Sequence, residues 1–263
     1  MLRRRRRRAR VLAQTPAYAR YTPRVTVISV LAQGRAPEGV QALASVVASR
    51  YRQFELLVLA DGSSDGAHLA ISFLLEEHPT LPALLLHQSV ERGVARSRNV
   101  LVAKARGEYV FVLDAQGGIY PSTLERLVRA LDADPRATFA YPMVAAYEGD
   151  RVVQLLSSLP WEPERLGRED WIDGMALIRR QRLLELGGYS TDPRLAGYDD
   201  FYLWCKCAAV GAHGVHVPQV LAWTTKSSDM QTSQTRALMR ELFPRLSASD
   251  APAAPGHTAP TIA

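Results

Sequence analysis

Four aspartates carry the chemistry this chain could do. Asp61 ends the apolar run Phe54-Glu55-Leu56-Leu57-Val58-Leu59-Ala60, and Gly62-Ser63-Ser64-Asp65-Gly66 follows it. Asp114 ends the run Tyr109-Val110-Phe111-Val112-Leu113. Asp199 and Asp200 stand side by side before Phe201-Tyr202-Leu203-Trp204. A parallel strand buried on both faces reads as a continuous apolar run, and open α/β sheets gather ligands at the carboxyl ends of such strands. Asp61 and Asp114 are therefore expected to face one crevice. Two such carboxylates suit a ligand that offers hydroxyls, ring N–H groups and a metal-bound diphosphate. Paired acids at the head of a helix could supply a general base at the mouth of that crevice. The same pair is also what the helix macrodipole favours at any N-terminus.

The elements that must position these residues alternate. Arg24–Val30 is β-branched and reads as a first strand. Val40, Leu43, Ala44 and Val47 mark one helical face in Pro37–Arg50. Phe54–Ala60, Ala83–His87 and Tyr109–Leu113 read as strands, and Ala67–Glu77 and Val94–Ala105 as helices. Ser122 with Glu125 forms a capping-box pattern that opens a helix to about Ala133. Alternation of this kind implies a parallel sheet covered by helices. Beyond residue 137 the pattern turns mixed. Thr138–Val144, Arg151–Leu155, Met175–Ile178, Gly214–Val217 and Val220–Thr224 look extended, while Arg179–Leu186 and Asp199–Val210 look helical. The expected fold class is α/β: a Rossmann-type, mostly parallel sheet flanked by helices, with a mixed second half.

Charge is unevenly spread. The net charge is +6, yet residues 1–10 hold seven arginines and no acid; without them the remainder stands at about −1. A nucleic-acid-binding body would carry its basic patch on the fold itself, so no nucleic-acid partner is expected. Arg3 to Arg10 read either as a solvated tail or as an arm drawn to anionic lipid head groups. No window reaches the length of a membrane span, and Val11-Leu12-Ala13-Gln14 is too short for a signal peptide core. The expected location is cytoplasmic, peripheral to the inner face of the membrane if the arm engages it. Cys205 and Cys207, two apart on a helix, do not face each other, which fits buried thiols in a reducing compartment. His213 and His216 are read as structural rather than as a metal pair. The organisation expected is a basic arm over 1–22, a catalytic domain over 23–228 split near 116, a terminal helix over 229–246 and a disordered tail over 247–263.

From Pro23 to about Trp223 the chain resembles the inverting family 2 glycosyltransferases of the GT-A fold. The resemblance rests on Pro23-Arg24-Val25-Thr26-Val27-Ile28, on Asp61 to Gly66, on Gly93 to Asn99, on Gly107 to Ala115 and on Asp199 to Trp204, in that order. It implies transfer of a sugar from a nucleotide-diphosphate sugar to the hydroxyl of a glycan, lipid-linked or small-molecule acceptor. Asp61 would then accept from the donor's nucleobase. Arg98 would approach the donor sugar or phosphate with its fork of N–H groups. Asp114 opens the family's Asp-x-Asp motif, which holds Mn²⁺ or Mg²⁺ against the diphosphate. Asp200 maps to the general base, and Asp199 would orient the acceptor or the helix.

Two departures stand out. Gln116 and Gly117 occupy positions where the family has acids, so an uncharged amide carbonyl replaces a metal-ligating carboxylate. Trp223-Thr224-Thr225-Lys226-Ser227 stands where many members carry Tyr-Arg-x-His, leaving Lys226 as a point charge for phosphate. These departures support an alternative: a catalytically weakened relative that binds a sugar nucleotide or a partner. A nucleotidyltransferase would want a Gly-rich phosphate loop after the first strand, and Leu31-Ala32-Gln33-Gly34-Arg35 is a poor one.

Overall fold

The computed structural model describes residues 9–62, 66–167, 171–225, 238 and 241–244. Its first half is a parallel α/β unit. Strands β2 (Val25–Ala32), β3 (Phe54–Asp61), β4 (Ala83–Gln88) and β5 (Tyr109–Leu113) alternate with helices α1 (Ala36–Val47), α2 (Ala67–Glu77) and α3 (Val94–Lys104), and β1 (Arg10–Gln14) precedes them. The second half begins with β6 (Gly117–Ile119) and α4 (Thr123–Ala133). It continues through β7 (Ala137–Glu148), β8 (Arg151–Leu156), β9 (Leu177–Arg179), α5 (Arg180–Glu185), α6 (Asp199–Ala209) and β10 (His213–Thr224). Nine strands lie in the order β1-β4-β3-β2-β5-β9-β7-β10-β6, with β8 paired to β7. Strands β4, β3, β2 and β5 are mutually parallel. Beyond β5 the sheet is mixed, because β9 runs antiparallel to both β5 and β7 while β10 runs parallel to β7.

The apolar runs explain this layering. All eight residues of β3 are buried. Leu56 and Val58 pack with Leu43 and Val46 of α1 and Ile71 of α2, while Leu57 and Leu59 pack on the opposite face with Leu101 of α3 and Trp204 of α6. A strand sandwiched in this way has no polar face to offer water, which is why its sequence does not alternate.

Three details differ from the sequence-based expectation. Arg10–Gln14 falls within the expected arm, yet it forms an edge strand antiparallel to β4, and the Thr15 hydroxyl donates to the Leu81 carbonyl at 2.6 Å. Ser122 makes no capping hydrogen bond with its side chain. The neighbouring Thr123 hydroxyl instead bonds the Tyr120 and Leu221 carbonyls, tying α4 to β10. The two extended pieces around Pro218 are one strand, β10, whose register with β7 shifts between Val217 and Val220. Proline has no N–H for the ladder, and the irregularity accommodates it. Arg3 to Arg8, the expected terminal helix apart from 238 and 241–244, and the tail lie outside the described residues.

At the amino end of the parallel strands, Glu55 is fully buried. It accepts from the Thr26 hydroxyl and the Arg106 backbone N–H, both at 2.8 Å, and from Arg106 Nε at 2.7 Å. The Arg106 guanidinium also lies over the Tyr18 ring, 4.1 Å from its centroid. This pair joins β2, β3, the α3–β5 connection and the N-terminal segment. Arg106 is one-third exposed, so an orphaned guanidinium keeps some water. Glu55→Ala is expected to lower unfolding free energy by about 3 kcal/mol, the lower end for a broken buried pair. Urea denaturation measures it.

Candidate active site

The chain leaves β2 outward to β3 and β4, then returns to the other side of β2 as β5. Connections diverge on the two sides of β2, and a crevice must open between them at the carboxyl ends. A cleft of about 660 Å³ lies there. Val30 and Ala32 from β2 line it, as do Leu113 to Gln116 after β5. The start of α3 and the segment from Ser190 to the head of α6 close the other sides.

Asp61 sits behind this cleft rather than on its lining. It is 2% exposed. Its carboxylate accepts from Gln88 Nε2 at 2.6 Å, from the Ser97 hydroxyl at 2.8 Å and from the Arg92 N–H at 2.9 Å. Three protein donors thus occupy a group that the sequence alone assigned to a ligand. The contact with Arg92 fixes the backbone of a residue that does line the cleft. Gln88 and Ser97 carry no spacing signal, so nothing in the sequence singled them out.

Arg98 and Asp200 meet inside the cleft. Arg98 Nη1 donates to Asp200 Oδ1 at 2.8 Å. The guanidinium is buried and lies 5.0 Å from the centre of the Tyr189 ring. Burial opposes its charge, but Asp200, Tyr189 and Asp114 outweigh burial and hold it protonated beyond its ordinary range. Asn99 sets Tyr189 in place: its Nδ2 donates to the Tyr189 carbonyl and its Oδ1 accepts the Tyr189 N–H, both at 2.8 Å. A side chain at Gly188 would come within 2.5 Å of Asn99 Oδ1, so the Gly187-Gly188 turn permits this clasp. Burial, opposed by Arg98, raises the Tyr189 hydroxyl's pKa. Neither Gly188 nor Tyr189 carries a motif or spacing that singles it out in the sequence.

Asp199 and Asp200 open α6. The Trp204 indole, one turn on, donates to the Ile172 carbonyl at 3.1 Å and docks the helix against the loop before β9. In that loop, Asp173 Oδ1 accepts the Met175 N–H at 2.8 Å. Gly174 leaves space for the Asp200 carboxylate, since a Cβ there would stand 2.5 Å from Asp200 Cγ. Asp199 has its pKa raised: burial dominates, Arg98 counters it, and Asp200 adds to it.

Asp114 and Gln116 share the turn after β5. Asp114 Oδ1 accepts the Gln116 N–H at 3.0 Å, and the Gln116 carbonyl accepts the Thr225 N–H at 2.9 Å. Both residues line the cleft. Gly117 has a structural cause: a Cβ there would lie 2.5 Å from the Trp223 carbonyl oxygen. An acid at that position would force β6 and β10 apart. Among the described residues, no three His, Cys, Asp or Glu side chains form a metal-binding group. Lys226 lies outside the described residues. His213 pairs with Asp134 at 3.0 Å, and the His216 ring stacks 5.1 Å from that of Tyr141, so they do not converge.

A mixed sheet with this cleft at the crossover is the arrangement of the GT-A fold, shared with solved glycosyltransferase structures. The chain belongs to glycosyl transferase family 2, whose sequence profile matches residues 31–201. The Bacillus subtilis protein EpsE, named as a glycosyltransferase, is 23% identical over 192 residues, covering 72% of this chain and 68% of its own length. The O-antigen biosynthesis protein RfbC of Myxococcus xanthus is 29% identical over 68% of this chain, which spans 14% of RfbC. Among solved structures, the mannosyltransferase PcManGT of Pyrobaculum calidifontis, in complex with GDP-Man and Mn²⁺, superposes with a TM-score of 0.63. It is 28% identical and covers 85% of this chain, which spans 62% of its length. TarS of S. aureus in complex with UDP-GlcNAc superposes at 0.68 with 15% identity, over 85% of this chain and 66% of TarS, a likeness of fold.

Asp199 yields a pH-dependent prediction. Its folded pKa lies above the unfolded value, so ionisation weakens the fold as pH rises through the folded pKa. Asp199→Asn removes that penalty. Its melting temperature should exceed the wild type's near about pH 7, and the gain should vanish near about pH 3, where both states of the wild type are protonated. Calorimetry across pH tests this.

Proposed function

We propose that the chain transfers a hexosyl or related sugar, with inversion, from a nucleoside-diphosphate sugar to an acceptor hydroxyl. One observation carries the reading: a carboxylate at a helix head, a buried guanidinium and a strand-end carboxylate share one cleft. Asp200 acts as the general base that takes the acceptor's proton. Arg98 holds Asp200 through a hydrogen bond of 2.8 Å. A donor diphosphate offers Arg98 a stronger anion, which frees Asp200 as the complex assembles. Asp199, half-desolvated beside it, orients the acceptor. Asp61 acts at one remove from the nucleobase, by fixing the Arg92 backbone. Lys226 is assigned to the phosphates from its place in the sequence.

The Asp114–Gln116 turn suits a hard cation in a limited way. Asp114 Oδ1 is engaged by the Gln116 N–H, and its second oxygen and the Gln116 amide oxygen remain as donors. Mg²⁺ and Mn²⁺ are commonly held by one or two carboxylates together with substrate phosphates, so these two residues would complete a site that the donor largely builds. Such a cation would neutralise charge on the departing diphosphate. Two buried thiols that form no disulfide support a reducing, cytoplasmic setting. The acceptor, whether glycan, lipid-linked or small, is bounded by the loop at Trp171–Gly174.

Gln116 favours a second reading, a relative that binds the donor and turns it over weakly or not at all. The two readings separate in one set of measurements. UDP, GDP and TDP sugars are screened by thermal shift with and without Mn²⁺, and the ligand that raises the melting temperature is carried into a transfer assay. For a transferase, Asp200→Asn should keep that thermal shift while turnover drops about 10²- to 10⁴-fold. Thermal shift without wild-type turnover would select the second reading. Turnover that survives Asp200→Asn would remove Asp200 from the mechanism.

Gln116→Asp supplies the missing charge. It should lower the Mn²⁺ concentration for half-maximal thermal shift or activity by about tenfold. An unchanged Mn²⁺ dependence would place the cation elsewhere.

A further inference from the structure

An apolar patch and Arg10, the described end of the arginine-rich segment, meet at one corner of the fold. Strand β1 runs antiparallel to β4, with Arg10 opposite His87. Because β4 is parallel to β3, Arg10 stands at the carboxyl rim of the sheet, the rim on which the cleft opens. Residues 3–8, all arginine, therefore join the fold at this rim. The first turn of α2 covers the same corner, where the His68 ring lies 5.2 Å from that of His87. On the outer face of α2, opposite the buried Ala67, Ile71 and Leu75, stand Leu69 and Phe73, 55% and 65% exposed. Val90, in the loop after β4, is 61% exposed beside the cleft-lining Glu91, and Val11 on β1 is 54% exposed.

We propose that this corner docks on an anionic lipid bilayer, with Leu69, Phe73 and Val90 entering the head-group region and the arginines meeting its charge. Interfacial binding needs both terms, apolar area and attraction to anionic lipid. Here exposed apolar residues and the point from which the arginine run departs share one corner of a body that is otherwise near neutral. The orientation has a further support. Glu76 and Glu77 sit exposed at the far end of α2, where they turn away from an anionic surface, while Arg92 and Arg96 stand exposed on the rim itself. Nucleic acid would use the arginines and leave the exposed leucine and phenylalanine without a role. Docking here brings the cleft mouth to the bilayer, a consequence that holds whether or not the cleft transfers sugar.

The test is vesicle flotation of the full chain. Wild type should float with phosphatidylcholine vesicles containing about one-third phosphatidylglycerol, and not with phosphatidylcholine alone. Leu69→Glu with Phe73→Glu should cut the partition coefficient at least about tenfold with the arginines intact. Replacing Arg3 to Arg8 with serine should cut it too, and raising salt from about 0.1 to 0.5 M should weaken wild type. Melting temperatures of the variants should match wild type, since Leu69 and Phe73 are more than half exposed. Three results would overturn the proposal: equal flotation of the double glutamate variant, equal wild-type flotation with neutral vesicles, or competition by duplex DNA that strips the protein from anionic vesicles.

Discussion

A buried guanidinium exists only where other groups meet its charge, and the cleft is organised around that requirement. Arg98 is inside because α3 packs its first turns against the sheet, with Ala95, Leu101 and Val102 in the core. Once there, Arg98 needs an anion at hydrogen-bonding distance, and α6 supplies Asp200. Every other feature of this corner serves that meeting. Trp204 anchors α6, Gly174 leaves room for the carboxylate, and Asn99 clasps the backbone of Tyr189 beneath the guanidinium. A buried ion pair is weak ground for stability, because desolvation offsets most of its attraction. Its consequence here is positional: it fixes a guanidinium and a carboxylate together on the lining of the cleft.

Much of the fold was legible because apolar runs report burial directly. The parallel strands and the helices between them follow from continuous runs and helical spacing in the first 133 residues. Strand order in the second half was not legible. Strand β9 is three residues long, and what sets it between β5 and β7 is packing on both neighbours rather than any pattern of its own. Edge strand β1 was hidden by the arginines beside it, since charge density dominates a composition-based reading. Thr123, not Ser122, ties the start of α4, because a carbonyl on β10 distant in sequence competes for its hydroxyl.

Within the site, position and role separated. The acids at 114, 199 and 200 lie on the cleft, as strand-end and helix-head residues should. Asp61 is also a strand-end residue, yet Gln88, Ser97 and the Arg92 N–H reach it first. A turn motif specifies where a carboxylate goes; it does not specify which donors compete for it. Gly117 teaches the same lesson in reverse. Read as a missing acid, it suggests loss; in three dimensions it is the only size that fits beneath Trp223. The glycine at 117 therefore belongs to how β6 joins β10.

The two ends of the parallel sheet divide stability from chemistry. At the amino end, Glu55 is saturated: Thr26 and Arg106 satisfy both oxygens, and Tyr18 covers the guanidinium. At the carboxyl end, charges remain in play. Asp199 carries a carboxyl that burial discourages from ionising, and Arg98 and Asp200 neutralise each other across a cleft that is otherwise open. Local polar networks that are complete make a fold rigid, and those left incomplete make it responsive. The saturated pair and the pair that lines the cleft thus stand at opposite ends of one parallel sheet. Donors placed around Asp200 as they surround Glu55 would steady that corner and leave its carboxylate fewer acceptor sites for anything entering the cleft.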